Sequence, residues 1–160
     1  MNMLKVKPFR QETGYCGPAS LKMVFNYYGV TKSEKELVRL TDCTLDRGVE
    51  AHRLLQAARD LGFDGFIKDF TEFEEVRKQV KERQTPVIVD WFSEDDGHYS
   101  VVVDIDEENI YLLDPEIGYV RAMRLKKFYR VWFDFPGDFL KSSDDLTIRR
   151  MMVIYPTNKE

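Results

Sequence analysis

The spacing of the apolar residues changes near residue 85, and that change limits the fold more than any other feature. Upstream, apolar residues recur every three or four positions. Ala19, Met23, Val24 and Tyr27 predict a helix over 16–28, ended by Gly29. Ser33 with Glu36 reads as a capping box before Leu37 and Leu40. Leu54, Leu55, Ala58 and Leu61 predict a helix over 49–61 that Gly62 stops. Thr71 with Glu74 predicts another capping box, opening a helix to about residue 83. Downstream the period falls to two, or the residues run continuously apolar. Strands are predicted over 86–92 (P-V-I-V-D-W-F), 98–105 (H-Y-S-V-V-V-D-I), 109–113, 119–123 and 150–155, with a short helix over 126–132. The turn Asp106-Glu107-Glu108 closes a hairpin between the second and third strands, and 135–147 reads as a surface loop. Helices first and antiparallel strands after is an α+β layout.

Composition narrows the function classes. A length of 160 residues fits one domain over 1–160, and 43% hydrophobic with 32% charged residues is a soluble, globular balance. A net charge of −4 without a basic run argues against nucleic acid or an anionic membrane surface as partner. No stretch approaches the roughly 18 apolar residues of a membrane span, and no apolar signal segment opens the chain. Two cysteines, Cys16 and Cys43, are too few for a disulfide framework. The expectation is a cytoplasmic protein with free thiols, each serving chemistry or the core.

Cys16 stands where loop becomes helix, in Q-E-T-G-Y-C-G-P-A-S-L. Unpaired N–H groups and the dipole at a helix N-terminus stabilise a thiolate, and Pro18 is tolerated in a first turn. On position alone a packed core cysteine is the equal alternative. Only His52 and His98 can serve as base. His52 lies within a predicted helix and reads as surface or partly packed, whereas His98 opens an apolar strand after the acidic loop S-E-D-D-G. In a hairpin centred near 107, position 98 lies about opposite 116, so Asp114 of L-L-D-P comes close to His98 and could orient its ring. The alternative is that Asp114-Pro115 simply starts a turn. Gln11, five residues before Cys16, could offer a side-chain amide to an oxyanion, alongside the Cys16 N–H.

The pattern Q-x-x-x-x-C-G-P-A-S-L-x-M-x-x-x-Y-Y-G, from Gln11 to Gly29, resembles the active-site segment of the bacteriocin-processing, double-glycine cysteine peptidases. The resemblance continues through G-V-E-A-H-R-L-L-Q-A-A-R-D-L-G-F, P-V-I-V-D-W-F-S-E-D-D-G-H-Y-S-V-V-V-D-I and I-Y-L-L-D-P-E-I-G, roughly over residues 8 to 135. It implies a papain-like fold with Cys16 as nucleophile, His98 as base, Asp114 as orienting carboxylate and Gln11 as oxyanion donor. It also implies a peptide or protein substrate, no cofactor, and a link to a transport system not encoded in this chain. Tyr15 departs from the acidic residue that exporter-linked members usually carry before the cysteine. Acyl transfer or amide hydrolysis through the same acyl-enzyme, and a non-catalytic peptide-binding module, are the alternatives. Cys43 reads as structural, Trp91 as core or cleft wall, and the cysteines and histidines lack zinc-site spacing. The acidic loop 94–96 reads as solvated, and beside the site it could favour cationic substrate residues.

Overall fold

A computed structural model of the chain describes residues 3–45, 48–94 and 96–157. Asp95, in the middle of the acidic loop, lies outside them. Three helices come first: α1 (Cys16–Tyr27), α2 (Glu34–Thr41) and α3 (Ala51–Asp60). The Ser33 hydroxyl caps α2 by accepting the Glu36 N–H at 3.1 Å. Next comes a strand absent from the sequence expectations, β1 (Phe63–Lys68). Asp64 and Gly65 interrupt its apolar alternation, and Gly65 is dictated by tertiary contact. A Cβ there would stand 2.0 Å from the Val153 carbonyl oxygen of the neighbouring strand.

Helix α4 (Phe73–Arg77) continues into one π-helical turn, Lys78–Glu82. Its capping box is Glu72 with Glu75, one residue later than the predicted Thr71 with Glu74. The Thr71 hydroxyl is buried and donates to the Lys68 carbonyl at 3.0 Å, so it closes the preceding turn and cannot cap. Strands β2 (Val87–Ser93), β3 (Asp96–Ile105), β4 (Asn109–Asp114) and β5 (Tyr119–Arg124) follow, then α5 (Leu125–Val131). The segment predicted as loop holds a 3-10 turn, Ser143–Asp145, and the start of a two-strand ribbon. That ribbon pairs β6 (Phe133–Asp134) with β7 (Thr147–Ile148). The last strand is β8 (Arg150–Pro156).

The main sheet has the order β1-β8-β2-β3-β4-β5, with all neighbours antiparallel. The α+β expectation holds, and the chain's last strand sits inside the sheet. Side chains alternate between faces along a strand. Tyr99 points to the side covered by α1, where it approaches the Gly17 position. Trp91 and His98, paired in register, point to the other side, where Trp91 meets Phe128 of α5 with ring centroids 5.9 Å apart. Phe128 and Trp132 are fully buried and pack on Phe73, and the Trp132 indole N–H donates to the Arg150 carbonyl at 3.0 Å. Trp132→Ala is expected to cost about 3–5 kcal/mol, read by chemical unfolding. A loss below about 1 kcal/mol would contradict this account of the second layer.

Candidate active site

Strands β3 and β4 leave their hairpin turn paired as Ile105 with Ile110 and Asp104 with Tyr111, then slip by one residue at a bulge between Val102 and Asp104. Past the bulge the pairs are Val102 with Leu112 and Val101 with Leu113. A one-residue slip exchanges the faces of every later side chain. The slip therefore puts Asp114 on the face of β4 that matches His98 on β3. The bulged Val103 carbonyl is not orphaned, since it accepts the Leu4 N–H at 2.9 Å. The result is a buried contact, His98 Nε2 to Asp114 Oδ1 at 2.5 Å.

Beyond the Val101–Leu113 pair, β4 no longer lies along β3, and the thiol of Cys16 docks on the vacated edge. Cys16 Sγ accepts the Tyr99 N–H at 3.4 Å, one residue along β3 from His98, and lies close enough to the His98 ring to raise its pKa. With Nε2 on Asp114, Nδ1 is the ring nitrogen left for the thiol. Cys16 is half-buried and is the first residue of α1, whose first turn carries no acidic side chain to compete for the helix N-terminus. Gly17 is required beside it, because a Cβ there would lie 2.4 Å from Val49 Cγ1. Gln11 is tied to the same corner, its N–H donating to the Pro115 carbonyl at 2.7 Å. Among the described residues its buried side-chain oxygen has no hydrogen-bond partner.

Sequence reasoning missed the supports of this pair. Arg121 of β5 donates to Asp114 Oδ2 at 3.1 Å, and its guanidinium lies 5.5 Å from the Trp91 ring centre. Trp91 meets the His98 ring edge-on at 5.6 Å and donates its indole N–H to Ser100 Oγ at 3.0 Å. The Glu116 N–H caps Asp114 Oδ1 at 3.0 Å. The register of β4 with β5 that places Arg121 near Asp114 is a long-range property, and nothing near Arg121 in the sequence marks it.

Burial pulls the His98 pKa down, but the bonds to Asp114 and Cys16 outweigh it and hold it at about 10. Burial pushes the Asp114 pKa up, but His98, the Glu116 N–H and Arg121 keep it below the ordinary carboxylate range. Cys43 is buried, and burial, with smaller contributions from Cys16 and Glu34, raises its thiol to about 11, which suits a structural cysteine. His52 is exposed beside Glu50. His98, Asp114 and Glu116 bring three donor atoms within 4.8 Å of one another. Nε2 and both Asp114 oxygens are already engaged in the hydrogen bonds described, which leaves a metal ion only exposed Glu116. No helix among the described residues is long and apolar enough to cross a membrane.

The family model of the peptidase C39 family matches residues 6–135. The chain belongs to that family. An uncharacterized C39 relative of this chain from Methanothermobacter marburgensis is 34% identical over 116 residues, covering 72% of this chain and 75% of the relative. The transport/processing ATP-binding protein ComA of Streptococcus pneumoniae is 32% identical over 122 residues, which is 73% of this chain and 16% of ComA. A double glycine motif protease from an AMS/PCAT transporter, solved in complex with the leader peptide, superposes with a TM-score of 0.73 at 23% identity, covering 98% of this chain and 95% of that one. The likeness establishes the C39 papain-like fold. The C39 match ends just past β6, so β8 joins the middle of the sheet from outside the matched segment.

Proposed function

We propose that this C39 chain is a cysteine peptidase in which Cys16 is the nucleophile, His98 the acid–base, Asp114 its orienting carboxylate and Gln11 an oxyanion donor. The observation that carries the reading is the placement of the Cys16 thiol on the backbone of β3 at Tyr99, next to His98, whose buried ring is bonded to Asp114. The thiol at the start of α1 stands beside an imidazole whose pKa is held up to about 10, a base suited to take the proton of the attacking sulfur. The thiolate attacks the peptide carbonyl carbon. The oxyanion that forms is met by the Cys16 N–H, free of intrahelical bonds, and by the Gln11 amide. His98 then gives its proton to the leaving amine, and the acyl group remains on sulfur. Water attacks the acyl-enzyme with His98 as base, releasing the acid and restoring the pair. Asp114 and Arg121 hold the ring in the tautomer these steps need.

The substrate class is a peptide or protein segment. Transport and leader processing are stated in the names of ComA and the AMS/PCAT protease, and a working association with a separately encoded exporter is the corresponding proposal here. Two unpaired thiols fit a reducing, cytoplasmic setting. The test is labelling at neutral pH with a mild alkylator, with the modified residue located by mass spectrometry. Cys16 is expected to label fast and Cys43 slowly, and His98→Ala is expected to slow Cys16 by at least about tenfold. Equal, slow labelling of both cysteines would refute the nucleophile.

A further inference from the structure

A second pair of acids lies beside Cys16, and the peptide chemistry above does not use it. Asp90 of β2 is 5% exposed, sits opposite Tyr99 and Arg150 in register, and bonds the carboxyl of Asp134 on β6. Asp134 is half-buried and fixed in place, because its Oδ1 accepts the Phe135 N–H at 2.7 Å. It lies flat on Gly97, where a Cβ would stand 2.3 Å from Oδ1 and 2.4 Å from Oδ2. Both the backbone and the missing side chain at 97 thus keep this carboxyl next to Asp90.

Among the described residues no cation is hydrogen-bonded to the pair. Arg150 is the basic residue that faces Asp90, and its guanidinium is held bidentate by Asp69 at 2.7 and 3.0 Å. Asp90 Oδ1 is buried and has no hydrogen-bond partner among the described residues. A buried carboxyl with an empty acceptor, held against a half-buried one, is costly unless a proton or a cation joins them. Burial, followed by Asp134, pushes the Asp90 pKa well up. Cys16 lies within electrostatic reach of Asp90, and Tyr99 within reach of both acids. The approach on the Asp134 side is walled by the stacked rings of Phe92, Phe133 and Phe135, half-buried and with Phe92 5.2 Å from each of the other two. Aromatic faces beside acids suit a cation carried on an apolar stem.

We propose that Asp90 and Asp134 form a specificity subsite that takes a positively charged group of the substrate, an ammonium or guanidinium, next to the bond that Cys16 attacks. The subsite rests on Cys16 being the reacting group, and it moves cation preference from the exposed Glu94 and Asp96 to a buried pair.

Thiosulfonate reagents test it without needing a substrate. The rate at which the full-length protein's Cys16 reacts with a trimethylammonioethyl reagent is divided by its rate with the neutral ethyl reagent. This ratio cancels changes in intrinsic thiol reactivity. It is expected to fall about tenfold in Asp134→Asn, whose amide oxygen can still accept the Phe135 N–H, and similarly in the isosteric Asp90→Asn, while Asp96→Asn leaves it unchanged. A ratio unmoved by both pair variants, or lowered equally by Asp96→Asn, overturns the subsite. A peptide arm compares cleavage of lysine and norleucine peptides with free or acetylated N-termini, which separates a side-chain cation from a terminal one. If no peptide is cleaved but the reagent ratio behaves as expected, the subsite stands and the hydrolytic reading fails.

Discussion

Cys16→Ala is expected to abolish peptide cleavage, lowering kcat by at least about 10⁴-fold, because no other group near His98 can form the acyl intermediate. The protein should still fold. Cys16 is only half-buried, and its backbone belongs to a helix whose packing is carried by Ala19, Leu21, Met23, Val24 and Phe25. The measurement is product formation from a peptide mixture, followed by mass spectrometry against wild type at equal folded concentration. Cleavage persisting in the variant would sink the nucleophile assignment. Persistence in Cys43→Ser is expected, since Cys43 is buried and makes no contact with His98 or Asp114 among the described hydrogen bonds.

Asp114→Asn should come next in size. Asp114 is fully buried and joins His98, Arg121 and the Glu116 N–H, so the neutral amide leaves the geometry roughly in place and removes the charge. A loss in kcat on the order of 10³-fold is expected, along with a fall in the His98 pKa from about 10, because burial then acts with less opposition. Imidazole NMR titration reads that shift directly. The sign for stability follows from linkage. The folded value lies above the ordinary 6.5, so the imidazolium stabilises the fold fully below about pH 6.5 and loses that contribution as pH rises through about 10. Wild type should therefore lose stability across that window, and Asp114→Asn should lose much less. Equal pH dependence in the two proteins would show that the His98–Asp114 contact does not hold the proton.

Much of the architecture was legible in the chain. Five predicted strands and five predicted helices correspond to elements of the structure, with ends displaced by one or two residues. The clearest failures have tertiary causes. β1 pairs only with β8, across most of the chain, and its Gly65 makes sense only against Val153. The predicted cap at Thr71 failed because its hydroxyl closes a turn to Lys68. Asp134, just ahead of the loop read over 135–147, belongs to the short β6, which pairs with β7 only across that loop.

The sequence by itself determined the helix start at Cys16, the strand beginning near His98 and the Asp-Pro end of β4, since each is written in local periodicity and turn chemistry. It also named the four residues now proposed as the catalytic set. Only the tertiary structure brought His98 onto Asp114 and the Cys16 thiol onto the neighbouring backbone of β3. The bulge near Val103 chose the face of β4 on which Asp114 stands, and the end of β4 pairing opened the β3 edge for the Cys16 thiol. Arg121, Asp90 and Asp134 came into view there alone. Their significance lies in which strand they face and in which partners they lack, and register between distant strands is set by packing rather than by neighbouring residues.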